Sequence, residues 1–566
     1  MPESRPRRLR SQSWFFDNEY YAFARRAYLR SEGFNRDIFE EDRPVIGICN
    51  SWSELNHCNR HLREVAEAVK RGVWKAGGVP LEFPTISLGE PFMKPTSMLF
   101  RNLMAMDVEE CIRAYPMDGV VLLCGCDKTT PAQLMGAASA GLPAIVVPGG
   151  PQLSAVWKNR KLGSGTDGRK LFDDYRLGRI SEEEWCEIEG AVARSAGHCM
   201  VMGTASTMTS LAEAIGMTLP GCSSIPAPDS RRLAFAELSG QQAVAMVRED
   251  LTPARVMTRA AFENAIAVSM ALGGSTNAVV HLVAMAGRLG IRLELDVFDR
   301  ISRRIPHLVN VKPSGEYLME DFFHAGGVRA VMREILPVLD GGCLTVNGQT
   351  VAQNVAAAEC HDRAVIRPLD DPLFAEGGTA ILRGNLCPDG AVIKQSAASP
   401  HLLEHRGRAF VFEDYEQMKQ MIDRDELPVD AGTVLVLRNA GPKGGPGMPE
   451  WGHIPMPKAL LRRGVADVVR ISDARMSGTS FGTVVLHIAP ESAVGGPLAA
   501  VRTGDEILLD VPRRRLDLNV PPPEIARRLA AFQPPPPRYA RGYGKLFLDH
   551  VTQAHLGCDF DFLAGA

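Results

Sequence analysis

The 566 residues carry 66 acidic and 63 basic side chains, a net charge of -3, with 45% hydrophobic and 23% charged positions. A chain of this length supports two to four globular domains with a full-sized core, and without a basic surplus it is not a nonspecific nucleic-acid binder. Twelve cysteines are too sparse for a disulfide scaffold, and no run reaches the roughly 18 apolar residues of a membrane span, so free thiols in a cytoplasmic protein are expected.

The first 14 residues are basic and lack an apolar core, which reads as a solvated arm and not as a secretion signal. After Asn56, Leu62, Val65, Ala66, Val69 and Val73 recur at helical spacing until Gly77-Gly78. That helix would hold Cys58 in its first turn. Residues 118–125 form a short apolar run suited to a buried parallel strand. Thr130 as N-cap and Pro131 at the first helical position then start a helix over 132–140, which Gly141 stops. A second strand follows over 142–147. This β-α-β crossover places Cys126, Asp127, Lys128 and Thr129 just past the carboxyl end of a strand, where open α/β sheets keep their ligands. Ser181 caps a further helix predicted to run to about Ala196, and another spans about 206–216.

Beyond about residue 380 the texture changes to short strand-like runs at 379–383, 408–412, 432–437, 466–471, 483–488 and 505–511. The fold class is therefore α/β, with an N-terminal α/β/α parallel-sheet region over 1–375 and a C-terminal β-barrel-like domain over 376–566. Pro534 to Pro537 reads as a stiff spacer before a C-terminal tail.

Cys58, Cys126 and Cys199 stand in turns or at helix starts, where backbone N–H groups favour a thiolate. Three thiolates suit a soft metal or an iron–sulfur cluster; their separations of 68 and 73 residues match no compact motif, and ordinary buried thiols are the alternative. Cys49, Cys111 and Cys186 read as core, and a close Cys124/Cys126 pair stays open. Glu90, Asp127 and Glu450 lie in turns or loops and are either ligands for a hard cation such as magnesium or solvated acids. The glycine-rich stretch 441–450 alternatively cradles a phosphate, although it lacks P-loop spacing. Ser477 sits among small residues that permit close ligand approach; it is not in a Gly-x-Ser-x-Gly elbow and has no assignable histidine partner.

Several ordered motifs carry a resemblance across nearly the whole chain: Asn50-Ser-Trp-Ser-Glu-Leu-Asn-His-Cys-Asn59, Gly125-Cys-Asp-Lys-Thr-Thr-Pro131, Gly197-His-Cys-Met-Val-Met-Gly-Thr-Ala-Ser206, Gly273-Gly-Ser-Thr-Asn277, Gly384-Asn-Leu-Cys-Pro-Asp-Gly390, Gly444-Gly-Pro-Gly-Met-Pro-Glu450 and the stretch 472–482. The sequence resembles the dihydroxy-acid and phosphogluconate dehydratases. Leu88-Gly-Glu-Pro-Phe-Met-Lys-Pro-Thr96 and the ending Gly557-Cys-Asp-Phe-Asp-Phe-Leu563 are similar to the sugar-acid branch, typified by L-arabinonate and D-xylonate dehydratases. The resemblance implies a hydro-lyase that turns an aldonate into its 2-keto-3-deoxy acid. It implies Cys58, Cys126 and Cys199 as ligands of a [2Fe-2S] cluster, a [4Fe-4S] centre being equally compatible with three ligands. Glu90, Asp127, Glu450 and a carbamylated Lys128 would bind Mg2+, and Ser477 would be the base. A homodimer or homotetramer is also implied, with a small-molecule partner, no nucleic acid and no membrane. Two other readings are a dihydroxy-acid dehydratase of branched-chain amino-acid synthesis and a non-catalytic iron–sulfur sensor. Polar candidates for the substrate lining are His198, Ser275, Asn277 and Thr479. His57 stands where that branch typically has proline, and is expected to cap the helix or to donate to a sulfur or the substrate; Ala474 replaces a common glycine, and Cys387 is expected to be packing.

Overall fold

The computed structural model describes residues 8–17, 19–39 and 43–565. Its first sheet is wholly parallel, ordered β2-β1-β3-β4, with β1 (Val45–Asn50), β2 (Val79–Pro84), β3 (Gly119–Cys124) and β4 (Ala144–Pro148). Strands β1, β3 and β4 are buried along their whole length, as their unbroken apolar runs demand. The helix Leu62–Lys75 covers the sheet and meets the helix Ser230–Glu249 where glycines remove the side chains: a Cβ on Gly72 would lie 1.9 Å from the Glu237 carbonyl oxygen. One apolar core runs from Phe15 through these elements into the helices Arg259–Leu272 and Asn277–Gly287. A small hairpin of β5 (Ala155–Trp157) and β6 (Arg160–Leu162) stands apart.

The second sheet has eight strands: β7 (Ala380–Leu382), β8 (Gly390–Ile393), β9 (Glu404–Phe412), β10 (Val434–Leu437), β11 (Arg470–Ser472), β12 (Val484–Ala489), β13 (Glu506–Asp510) and β14 (Arg515–Leu518). Their order is β14-β13-β9-β10-β11-β12-β8-β7. Strands β9 to β12 run parallel to one another, while the outer pairs are antiparallel. The two edges meet just past β7, where the Arg383 N–H donates to the Arg514 carbonyl and the Leu516 N–H donates to the Arg383 carbonyl, both at 2.9 Å. The sheet is thus almost closed into a barrel, which removes its exposed edges. Along β10 the side chains alternate: Val434 and Val436 enter one apolar cluster with Leu509 and Leu516, while Leu435 and Leu437 enter another with Phe412 and Leu460.

The α/β class with a barrel-like second sheet is therefore as expected, and several local details differ. The helix after β3 begins at Thr129, not beyond Thr130, because the Thr129 hydroxyl already accepts the Cys126 N–H at 3.0 Å. Gly141 ends it in the left-handed conformation. Ser181 forms a capping box with Glu184, but that helix stops at Val192, short of Ala196. Of the predicted run 466–471 only the end is a strand, and β8 and β14 are too short for a pattern to show. The arm is not solvated throughout: Ser11 binds the Asp118 carboxylate through N–H and hydroxyl at 2.9 and 2.7 Å, whereas residues 1–7 lie outside the described residues. After the prolines, the helix Gly542–His550 and the residues beyond it pack Phe547, Val551, Cys558 and Phe560 against Met98, Leu99, Val280 and Met448. Arg101 donates to the carbonyls of Gly557 and Cys558, and Arg288 pairs with Asp559 at 2.6 Å. Among the described residues no helix is long and apolar enough to cross a membrane.

Candidate active site

The carboxyl ends of all four parallel strands feed one region. After β1 the chain turns through Ser51, whose hydroxyl donates to the Leu123 carbonyl at 2.7 Å, and Asn59 donates to the Ser51 carbonyl at 3.0 Å. This places Cys58 in the turn before the helix Leu62–Lys75, not in its first helical turn as expected. After β2, the Ser87 hydroxyl donates to the same Ser51 carbonyl at 2.6 Å and leads to Glu90. After β3 come Cys126, Asp127 and Lys128. After β4, a parallel bridge between Pro151 and His198 brings in Cys199; the His198 N–H donates to the Gly150 carbonyl at 3.0 Å.

Ligand-grade oxygens of Glu90, Asp127 and Glu450 lie within 4.8 Å of one another. The Lys128 side chain is fully buried among them, its ammonium 3.1 Å from Glu90, 3.4 Å from Glu450 and in contact with Asp127. Glu90 also accepts from the Ser97 N–H at 3.0 Å and the Thr96 hydroxyl at 2.8 Å. Arg475, likewise buried, donates to Glu450 at 3.3 Å, to the Thr96 hydroxyl at 3.1 Å and to the Met448 carbonyl at 2.8 Å. Burial alone would raise Glu90, but Lys128 and Arg475 outweigh it and bring the carboxyl down to about 2. Glu450 is pushed up by burial, with Lys128 only partly offsetting. For Lys128, burial and Arg475 oppose the charge and the three carboxylates prevail, raising its pKa. The donor set is all oxygen, as a hard cation requires. Were Lys128 carbamylated, its positive charge would become a negative one, and three carboxylates plus a carbamate against Arg475 would call for a dication. The residues fit magnesium.

The thiols gather next door. Cys126 Sγ lies 3.5 Å from the Asp127 carboxylate. The neighbouring Cys126 thiol together with burial holds the Cys58 pKa well above the usual thiol range, with Cys199 adding to the rise. Burial also raises Cys199, to about 11. Three thiols gathered in one place are soft donors that a metal binds as thiolates, so their chemistry fits a metal–sulfur centre. Cys124 is buried and feels the field of Cys222, and among the described residues no bond joins it to Cys126. Cys49 is core, Cys111 is half-buried, and Cys186 is exposed, contrary to expectation, because its helix turns that face outward. Cys387 is buried packing and Ala474 is buried beside β11. His57 caps no helix, since none begins there; its Nε2 lies 3.6 Å from Cys58 Sγ.

Ser477 follows β11, its hydroxyl 3.0 Å from that of Thr479. Asn277 joins the two halves of the site, donating to the Met476 carbonyl at 3.1 Å, to Glu450 at 3.4 Å and to the Thr204 hydroxyl at 2.9 Å. Ser275 and His198 serve the local frame: Ser275 shares a hydrogen bond with Thr204 at 2.9 Å, and His198 one with Ser206 at 3.2 Å. The sequence reading overlooked Arg475 and the Thr96/Ser97 pair. A lone arginine among the small residues of 472–482 was the available signal for the first.

Residues 43–354 match the N-terminal domain, and residues 364–558 the C-terminal domain, described for the dihydroxy-acid/6-phosphogluconate dehydratases. The chain is 53% identical to the 6-deoxy-6-sulfo-D-gluconate dehydratase of Pseudomonas putida, over 98% of this chain and 96% of that one. It is 52% identical to the L-arabinonate dehydratase of Rhizobium leguminosarum bv. trifolii, over 99% and 97%. The dihydroxy-acid dehydratase of Acidothermus cellulolyticus is 43% identical, over 94% and 96%.

Proposed function

The chain belongs to the dihydroxy-acid/6-phosphogluconate dehydratase family, and from that premise we propose that it removes water from a sugar acid, an aldonate such as L-arabinonate or D-xylonate, to give the 2-keto-3-deoxy acid. The higher identity to sugar-acid dehydratases than to dihydroxy-acid dehydratases favours aldonates over branched-chain precursors. The observation that carries the reading is the convergence of Glu90, Asp127 and Glu450 around Lys128, with the Cys126 thiol 3.5 Å from Asp127. An iron–sulfur sensor has no use for that oxygen centre.

In this proposal Cys58, Cys126 and Cys199 hold a cluster, [2Fe-2S] or [4Fe-4S], and Glu90, Asp127, Glu450 and a carbamylated Lys128 hold Mg2+. When bound, the two groups supply Lewis acidity at the carboxylate, the C2 hydroxyl and the departing C3 hydroxyl, and a field that acidifies a nearby alcohol. The chain's own residues do the rest. Ser477, as its alkoxide, takes the C2 proton, the Thr479 hydroxyl 3.0 Å away orienting that oxygen, and passing this proton to the departing C3 hydroxide gives water and restores the alkoxide. Asn277 keeps Glu450 and the Ser477 loop in register through its two amide hydrogen bonds. Arg475 neutralises part of the acidic centre and fixes the loop that carries Glu450.

Anaerobically prepared protein with magnesium is expected to form 2-keto acid from at least one of L-arabinonate, D-xylonate, D-galactonate or D-gluconate, read by semicarbazone absorbance, and to leave 2,3-dihydroxyisovalerate largely untouched. The reverse preference would reject the reading. Ser477→Ala is expected to lower kcat roughly 10²- to 10⁴-fold while iron and magnesium contents stay unchanged.

A homodimer or homotetramer is part of the same proposal. The helix Tyr20–Ser31 leaves Tyr20 75%, Phe23 61% and Tyr28 72% exposed, an aromatic surface that a second copy would cover. Light scattering tests it. Twelve free thiols suit a reducing cytoplasm.

A further inference from the structure

The helix Thr166–Arg176 starts on the loop that carries Ser477. The Thr166 hydroxyl donates to the Thr479 carbonyl at 2.7 Å, and a Cβ on Gly165 would lie 2.2 Å from the Thr479 hydroxyl, so only glycine lets the helix seat there. One turn in stands Arg169. The acids on its own helix are taken: Asp173 pairs with Arg176, and Asp167 with Lys312. Glu450, the nearby acid whose field reaches it, is engaged by Lys128, Arg475 and Asn277. Among the described residues the Arg169 guanidinium makes no ion pair and no hydrogen bond, and its Nε is buried without a partner. The residue is nonetheless partly open to solvent, as are its neighbours Glu450 and His453. Burial lowers its pKa against the opposing fields of Glu450 and Asp173, yet a guanidinium keeps its charge.

A permanently charged fork with a buried, unpartnered Nε and no ion pair of its own gains when an anion arrives. We propose that Arg169 is a receptor for a second anionic group, a carboxylate or sulfonate at the far end of the sugar acid, and so sets the preference of this enzyme among sugar acids. The inference rests on the dehydratase reading above, in which the acidic centre takes the C1 end. It adds that the opposite end meets a cation and not a neutral polar wall.

The test compares D-gluconate with its C6-carboxylate and C6-sulfonate analogues on the holoenzyme. Wild type is expected to favour one or both dianions at least about tenfold in kcat/KM. Arg169→Gln is expected to erase most of that preference, roughly 10- to 100-fold and mainly through KM, with D-gluconate changed less than about threefold; Arg169→Lys keeps part of it. A sulfonate preference marks a tetrahedral oxyanion as the ligand, and a carboxylate preference marks an aldarate-type acid. Equal kcat/KM for all three acids, or an equal loss on all three in Arg169→Gln, would overturn the assignment. Equilibrium dialysis of the three corresponding 2-keto-3-deoxy acids provides a readout without turnover. If no acid is dehydrated, the reading of the activity falls while those affinities still decide Arg169: tighter binding of the dianionic compounds, lost in Arg169→Gln, supports it, and equal binding rejects it.

Discussion

In the N-terminal half every strand of the sheet is parallel, and all four carboxyl ends deliver side chains to the site: Cys58 after β1, Glu90 after β2, Cys126 to Lys128 after β3, and Cys199 through the segment bridged to the end of β4. In the C-terminal half eight strands build a wall, and only two of its parallel members contribute, β10 through the loop to Glu450 and β11 through the loop to Ser477. The antiparallel strands close the barrel and reach nothing chemical. The two sheets differ in shape, strand number and closure, yet both obey one rule, that parallel strands expose their loops at a shared end. The division of labour follows the same line: every thiol of the candidate site is N-terminal, while Ser477, the proposed base, and one acid are C-terminal.

Substitutions sharpen that contrast. The largest effect is expected from Cys126→Ser, which should abolish cluster absorbance, iron content and turnover together while leaving circular dichroism native. Retained iron would show that the N-terminal thiols are not the ligands. Glu450→Gln breaks the other half: magnesium binding falls and activity drops roughly 10²- to 10³-fold, with the iron chromophore unchanged. Leu435→Ala, a fully buried position on β10, is expected to cost about 2–5 kcal/mol by denaturant titration, the barrel loosening before any cysteine moves.

The smallest expected effect concerns pH. Burial raises Glu491 to about 7, with Asp473 contributing, although the N–H groups of Lys443 and Gly444 and the Gln553 amide all donate to it. The folded protein therefore keeps a proton that the unfolded chain releases near pH ~4.3. The contribution of this group to stability declines as pH rises from ~4.3 to about 7 and stays low above that. Glu491→Gln is expected to raise Tm at pH 8 relative to wild type, by on the order of 1–3 kcal/mol of stability, with little change at pH 5. An equal shift at both pH values would assign the effect to packing.

Much of the site was legible because its residues sit in turns whose chemistry is local. The apolar run of β3, the stop at Gly141 and the Ser181 cap follow from neighbours in sequence. The triad was not legible from spacing: Glu450 stands hundreds of residues from Glu90, and only the family resemblance pointed to both. Cys58 was placed in a helix because the apolar period begins at Leu62 and gives no sign of where the first turn closes; Asn59 and Ser51 decide that through contacts across the sheet. The barrel seam at Arg383 is a pair of backbone bonds and leaves no trace in side-chain pattern. Arg169 and Arg475 look alike as charges in the sequence; their different side-chain partners among the described residues, none for one and three for the other, exist only in the fold.

The grip of Arg101 and Arg288 on residues 557–559 has a bearing on biogenesis. Met448, two positions before Glu450, shares an apolar cluster with Phe547 and Phe560, which lie far downstream in the chain. Until those residues dock, the loop bearing Glu450 has no floor, so the oxygen centre is completed only after this downstream segment has folded back onto it.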